Sequence, residues 1–342
     1  MKSGQRRGFL TGGTWCADHN KLLEFWPAEG TAAQIIEDSV EGGGSACNFA
    51  IDIRRLDPGM PVETIGCLGD DVDGRLLVAQ ADAHGLGRDG LLIVKNGRTN
   101  YTDAYSVRST ARRTHLFHQG TSALLSPDHF DFSRTTARIF HLGLPGIHAI
   151  MDGLWKGEAN GWLAVLKDAK AHGLETNFEL VQIQPERLRG FIEPCLGHLD
   201  YLVINDYEVG AITGRQTVHD DVTDLQACLE AGADLMDRGS MRILAIHFPL
   251  GAFAFERGRG VLRWPAVAVP ADAVKGANGA GDAFAAGFLY AIHELHPVVE
   301  ALRLAHAAAA ASLRSVGTTG GVERWQRCLE LAERWGWQSM PA

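Results

Sequence analysis

The strongest chemical signal in this chain of 342 residues is the segment Gly276-Ala277-Asn278-Gly279-Ala280-Gly281-Asp282-Ala283-Phe284. The residues that follow, AAGFLYAIHEL, read as a helix. Small residues ahead of a helix leave its first N–H groups bare, and those groups with the helix dipole suit an anion. Gly279 and Gly281 permit backbone conformations and close approach that a side chain would block. Asp282 then stands in the first turn beside the anion, where its carboxylate can accept a proton from a hydroxyl. An Asp in a Gly-rich turn also serves as a plain N-cap, and the segment alone leaves both roles open.

Other patterns carry less. Gly85, Gly87 and Gly90 match GxGxxG but follow a helix and open none, so they predict a helix-to-strand connection rather than a dinucleotide site. An oxidoreductase reading falls with that context. His293-Glu-Leu-His296 is one residue short of HExxH. His115 and His118 point to opposite faces if their segment is a strand, which leaves a shared metal little support. Gly43-Gly44-Ser45-Ala46-Cys47 lacks the last Gly of a nucleophile elbow. The sequence contains no P-loop and no protein-kinase HRD or DFG.

Further blocks change the weight given to Asp282. The chain reads Gly43-Gly44-Ser-Ala-Cys-Asn48, then Ile65-Gly66-Cys-Leu-Gly69-Asp70-Asp71-Val-Asp-Gly74, then Asn205-Asp-Tyr-Glu208 after the apolar run YLVI. With GANGAGDAF and the early Gly13-Thr-Trp-Cys-Ala-Asp18, these resemble the signatures of the PfkB, or ribokinase-like, family of carbohydrate and nucleoside kinases. The blocks keep the family's order and cover nearly the whole chain.

The resemblance implies an α/β fold. It would be a ribokinase-like three-layer α/β/α domain over 1–342, with a mostly parallel sheet and a small β-sheet lid from about 15–40 and 97–121. It implies ATP-dependent phosphorylation of an alcohol on a sugar, sugar derivative or nucleoside. Asp282 would be the base, and Gly279, Ala280 and Gly281 the anion hole. Asp18, which would end the first strand, would hold the acceptor with Gly43, Gly44 and Asn48. Asn205, His247, Gly251 and Asn278 would lie on the nucleotide side, and Glu208 would act on Mg²⁺ through water. Without the family, Glu208 reads as a helix N-terminal carboxylate. A homodimer through the lid is a further implication. The alternative is a non-catalytic ligand-binding or regulatory relative that keeps the fold.

Departures from the family pattern are specific. Gly276 replaces an Asp, which places the family's K⁺ site in doubt. The loop His247-Phe-Pro-Leu-Gly251 keeps only its Gly, and His247 reads either as a phosphate-side residue or as a strand end. Cys16 replaces an Asn in the first strand, Glu179 stands for an Asp in mid-chain TNFEL, and His306 occupies a helix where many members place Asn near the adenine.

The elements that must position these residues show in the hydropathy pattern. Phe9–Leu10, Glu63–Leu68, Ile139–Leu144, Leu199–Ile204 and Ile243–Phe248 predict buried strands. Between them, 46–56, 74–84, 154–172, 185–196 and 222–238 predict helices, an alternation that argues for a mostly parallel sheet. Segments 22–40 and 98–118 are polar and rich in Thr, Arg and aromatics, and predict a small accessory β-element. Trp15, Phe25, Trp26, Tyr101, Tyr105, His115 and Phe117 lie in or near it.

Composition fits. Charged residues make up 21% and hydrophobic ones 46%, with a net charge of −9. An acidic balance argues against a nucleic-acid partner. The six Cys form no CxxC pair, which gives a zinc or redox motif little support, and they are few for the length, which suits a reducing compartment. The N-terminus MKSGQRRGFLTGG has no apolar run of signal-peptide length and no stretch suits a membrane span, so a cytoplasmic protein is expected. Forty residues are Gly, well above the average of about 7%. Gly13, Gly43, Gly44, Gly66, Gly69, Gly74, Gly251, Gly279 and Gly281 account for much of that surplus at strand ends and loops.

Overall fold

The computed structural model describes residues 6–110 and 113–340. The first five residues of the basic N-terminus and part of the 97–121 segment lie outside that range. The chain opens with β1 (Phe9–Gly13), then β2 (Cys16–Leu23), β3 (Ile35–Gly43) and α1 (Ser45–Leu56). Next come β4 (Val62–Gly69), α2 (Val72–Ala83), β5 (Gly87–Val94), β6 (Tyr101–Val107), β7 (Arg113–His118) and β8 (Ile139–Gly143). They are followed by α3 (Ala149–Asp152), α4 (Gly161–Ala171), β9 (Glu175–Phe178), α5 (Pro185–Ile192), β10 (Tyr201–Asn205) and α6 (Asp206–Thr213). A short ribbon, β11 (Val218–His219) and β12 (Val222–Thr223), precedes α7 (Leu225–Arg238) and β13 (Ile243–Phe248). The chain ends with β14 (Gly251–Glu256), β15 (Gly260–Pro265), α8 (Ala280–His293), α9 (Val298–Ser312) and α10 (Trp325–Trp335).

Nine strands form one sheet in the order β15-β14-β13-β10-β9-β8-β1-β4-β5. From β13 to β5 the pairings are parallel, and β14 and β15 add an antiparallel edge. Successive residues of one strand enter opposite cores. Phe9, Val203 and Ala245 pack under α1, α8, α9 and α10, whereas Leu10, Leu202 and Leu244 pack with α4, α5 and α7. A strand with two buried faces must be apolar throughout, which is why these strands read as unbroken apolar runs. The result is three layers, as the family resemblance implies.

Helix α8 is buried along 283–293, so it is apolar on every side. A Cβ at Gly287 would lie 2.9 Å from the Leu304 carbonyl of α9. Glycine there, and the alanines at 307–311, let the two helices approach closely and hold the N-terminus of α8 in place.

A separate four-stranded sheet, β3-β2-β6-β7, assembles from the two polar segments. Asp18 belongs to this sheet, paired with Glu41 and Thr102. This corrects the expectation that Asp18 ends the first strand. That strand stops at Gly13, which sits at φ 126° against the Gly143 carbonyl, where a side chain has no room.

Three helices are shorter than the sequence pattern predicts. Within 154–172 the helix starts only at Gly161, because Asn160 caps it by accepting from Leu163 N and Gly157 before it holds φ 94°. Within 185–196 regular α-helix ends at Ile192, since Pro194 offers no N–H to continue it. Within 222–238, Val222 and Thr223 pair with the 218–219 strand, and Asp224 caps the helix behind them. The glycines at 85–90 behave as expected: Gly85 closes α2 at φ 62° and Gly87 opens β5. No helix among the described residues is long and apolar enough to cross a membrane.

Candidate active site

The N-terminus of α8 separates two cavities at the C-terminal end of the parallel strands, where ligands of open α/β sheets bind. Gly279, at φ 72°, is the N-cap and contributes no side chain, so the first N–H groups of the helix lack a side-chain cap. Its left-handed conformation and the Thr318 carbonyl, 2.2 Å from where a Cβ would sit, both require glycine. Asp282 is the third helical residue and not the cap, which excludes the plain N-cap role.

One cavity, of about 250 Å³, is lined by Asp18, Gly44, Ser45, Asn48, Ala104, His115, Glu179, Asn278, Gly279, Asp282 and Thr318 among others. Asn48 Nδ2 donates to Asp282 Oδ2 at 2.7 Å. The Thr318 hydroxyl reaches the Gly42 carbonyl at 3.1 Å and Asn48 Oδ1 at 3.0 Å, fixing which way the amide faces. A Cβ on Gly43 would fall 2.1 Å from Asp18 Oδ2, so glycine there makes room for the carboxylate. Gly44, at φ 87°, caps α1 and lets Asn48 enter the site one turn later.

Burial raises the carboxyls of this region. The Asp18 carboxyl is pushed up to about 6 by burial, with the Asp282 charge adding to it. Asp282 is raised well above the usual range, first by burial and then by the Glu179 charge. Among the described residues no lysine or arginine lines it.

The other cavity, of about 580 Å³, is lined by Asn205, Tyr207, His247, Val267, Ala280, Gly281, Phe284, His306 and Ala310 among others. Ala280 and Gly281 face it while Gly279 and Asp282 face the smaller one, so a single helix turn serves both. His247 is the penultimate residue of β13, its ring 4.8 Å from that of Phe284. Burial holds it neutral, near 4. His306 is likewise neutral, near 3, through burial and the neighbouring His247. Its Nε2 is buried without a protein partner.

Asn205 and Glu208 form a reciprocal cap on α6. Asn205 Oδ1 accepts from Glu208 N at 2.8 Å, and Glu208 Oε2 accepts from Asn205 N at 3.0 Å. The helix-terminal role of Glu208 is therefore present. Burial pushes its carboxyl up to about 7, and the charges of Asp206 and Asp282 add to the rise. Among the described residues no group of three or more His, Cys, Asp or Glu is arranged to hold a metal ion.

Two residues expected on the nucleotide side lie elsewhere. Asn278 lines the smaller cavity with Asp282. Gly251 pairs with Phe248 and Pro265 in the antiparallel edge, where a Cβ would sit 2.5 Å from the Trp264 carbonyl. It shapes the hairpin and does not line the larger cavity.

The two histidines of β7 part as the strand alternation predicts. His115 lines the cavity with Asp282, and His118 stacks on Tyr101 at 5.3 Å. Sequence reasoning missed His141 and Thr318. His141 lies inside an apolar strand run, and the one signal for Thr318 is its place in the Gly-rich stretch 317–321.

Fold and site together define a phosphotransferase of the ribokinase type, a class to which comparison with known proteins gives a family. The signature of the pfkB family carbohydrate kinase matches residues 18–325, and the chain belongs to that family. Ribokinase of Haemophilus influenzae is 22% identical over 317 residues, covering 93% of this chain and 95% of that protein. Probable fructokinase-2 of Arabidopsis thaliana is 28% identical over 208 residues, 58% of this chain and 61% of that protein's length. The solved structure of Arabidopsis thaliana ribokinase complexed with ribose and ATP has a TM-score of 0.75 at 22% identity, over 96% of this chain and 99% of that one.

Proposed function

We propose that this protein transfers the terminal phosphoryl group of ATP to an alcohol of a sugar, sugar derivative or nucleoside. The observation that carries the proposal is the position of Asp282, at an uncapped helix N-terminus where two cavities meet. ATP would occupy the larger cavity, with its base toward Phe284 and His306 and its phosphates toward Ala280 and Gly281. The acceptor would occupy the smaller one.

Asp282 would take the hydroxyl proton as the oxygen attacks phosphorus in line. The N–H groups of Gly279, Ala280 and Gly281 would bind the charge that builds on the transferring group. Asp18, Asn48 and the backbone at Gly43 and Gly44 would hold the acceptor's other hydroxyls. The lining carries Asp18, Glu179 and Asp282, three carboxyls that suit an uncharged polyol better than a sugar acid. The small sheet would act as a lid that excludes water.

Mg²⁺ would arrive on the nucleotide phosphates. Glu208, facing the negative charges of Asp206 and Asp282, fits a cation reached through water, as Mg²⁺ prefers. Its chemistry would be to neutralise phosphate charge during transfer. At position 276 the chain has no carboxylate, and a Cβ there would lie 3.0 Å from the Ser315 carbonyl, so K⁺ is not part of the proposal. Exposed Ile35, Val40, Leu116 and Phe117 on the small sheet support a homodimer through it, and the acidic chain is read as cytoplasmic.

The test is to supply Mg-ATP and a panel of neutral sugars, polyols and nucleosides, and to follow ADP release and a phosphorylated product. At least one acceptor should be turned over. A panel with no product, from protein that binds both ATP and a sugar, would favour the non-catalytic relative.

A further inference from the structure

Asn48 presents an amide to Asp282, and an amide can face either way. In the observed arrangement Nδ2 donates to Asp282 Oδ2 at 2.7 Å. Turned over, Asn48 would set its oxygen against that carboxyl oxygen, and two acceptors would meet once the acid is ionised. The observed orientation needs a donor for Oδ1 on the far side of the amide. That donor is the hydroxyl of Thr318, 3.0 Å away.

Thr318 is buried in the glycine-rich segment that follows α9, and its surroundings fix it. Arg55, further along α1 from Asn48, donates from Nη2 to the Gly320 carbonyl at 2.8 Å and from Nε to the Val322 carbonyl at 2.6 Å. Arg314 Nη2 donates to the Gly321 carbonyl at 2.9 Å, and Gly317 N donates to the Ser315 hydroxyl at 3.2 Å. The helix that carries Asn48 thus also grips the segment that carries Thr318. On another side the Thr318 carbonyl packs against Gly279, the N-cap of α8.

The Thr318 hydroxyl has one proton and two acceptors in reach, Asn48 Oδ1 and the Gly42 carbonyl at 3.1 Å. A three-centre bond serves both. Gly42 belongs to β3, where it pairs with Ala17 of the small sheet. One hydroxyl therefore joins the end of that sheet, the amide on α1 and, through the amide, the acid on α8.

We infer that Thr318 is a positioning residue: its hydroxyl selects the orientation of the Asn48 amide, and through that amide it aims the Asp282 carboxylate at the acceptor. The inference rests on the kinase reading for its catalytic meaning. The Thr318 hydroxyl takes no part in the proton transfer, which stays between the acceptor and Asp282.

Two measurements test this. The first is a double-mutant cycle built on Asn48→Ala and Thr318→Val, the latter replacing the hydroxyl with a methyl of similar size. Thr318→Val should lower kcat about tenfold, the scale of a buried hydrogen-bonding group left unsatisfied, with the nucleotide dissociation constant within about twofold of wild type. Thr318→Ser keeps the donor and should stay within about twofold of wild type in kcat. In the Asn48→Ala background no amide remains to orient, so Thr318→Val should change kcat by less than about twofold. The same loss in both backgrounds would give Thr318 a role independent of Asn48 and overturn the inference. A Thr318→Ser variant as slow as Thr318→Val would do the same.

The second measurement needs no turnover, so it stands apart from the kinase reading. With isotope-labelled asparagine side chains, NMR reads the Asn48 amide protons, identified by their loss in Asn48→Ala. Their exchange with water should be slow in the wild type and in Thr318→Ser, and at least about tenfold faster in Thr318→Val. Equal protection in all three would show that Asp282 alone orients the amide, and would sink the inference whatever the acceptor panel shows.

Discussion

Asn48 and Asp282, 234 positions apart in the chain, meet through a single 2.7 Å hydrogen bond from the Asn48 amide to the Asp282 carboxylate. The bond joins the residue expected to hold the acceptor to the residue expected to deprotonate it. Asp282→Asn removes the base and keeps the shape. Turnover should fall by about 10²–10⁴-fold while the nucleotide dissociation constant stays within about twofold. Calorimetric titration beside steady-state rates checks both, and turnover equal to wild type would show that another group takes the proton.

Gly43 and Asp18 cannot both keep their places once position 43 carries a side chain. The added carbon would lie 2.1 Å from Asp18 Oδ2. Gly43→Ala should therefore displace the carboxylate, and misplacement of about 1 Å in a positioned group costs roughly 10²-fold. The loss should appear in kcat/KM for the acceptor with nucleotide affinity unchanged. Equal weakening of both substrates would point to a wider disturbance of α1.

His306 offers the larger cavity a buried nitrogen with no protein partner. Burial holds the ring neutral, and in the tautomer protonated on Nδ1 this Nε2 is an acceptor. A nucleobase with an N–H donor would satisfy it. His306→Leu should weaken ATP binding by about five- to tenfold, the value of one neutral hydrogen bond. An unchanged affinity would place the base elsewhere in the cavity.

Asp52 is fully buried on α1, and neither carboxyl oxygen has a protein partner. Burial raises it well above the usual carboxylate range, and the Asp282 charge adds to this. In the unfolded chain it ionises near pH ~4. Above that pH the unfolded state gives up a proton that the fold retains, so stability falls as pH rises toward the folded pKa. Asp52→Asn removes this contribution. Thermal unfolding should show the variant gaining on the wild type from pH 5 to pH 8, by about 1–3 kcal/mol at the upper end. A constant difference across that range would mean that Asp52 is not the titrating group.

The chemistry around Asp282 was legible in the sequence because it is local. Bare helix N–H groups, glycines and an acid fall within a few consecutive residues. The parallel sheet was legible because two buried faces force unbroken apolar runs. What escaped depends on tertiary approach. His141 looks like one polar residue in a strand, and only the fold sets it against Glu179. Thr318 reaches Asn48 across 270 positions of chain. Leu154 and Trp155 suggested an early start to α4, yet Leu154 is 86% exposed, and Asn160 with its cap decides where that helix begins. Glu208 kept the helix-terminal role that local sequence assigns it.

The small sheet and helix α1 share one continuous piece of backbone. Strand β3 ends at Gly43, Gly44 follows, and α1 begins at Ser45 and carries Asn48 three residues further on. Tension on the sheet must pass along this stretch to the amide that grips Asp282. If a sugar pins Asp18 and closes the sheet, as proposed, it would also true the aim of Asp282. A water molecule is too small to bridge sheet and helix in that way. On this reading the fold has a built-in safeguard against futile hydrolysis, with ATP left intact until an acceptor large enough to draw the sheet down has arrived.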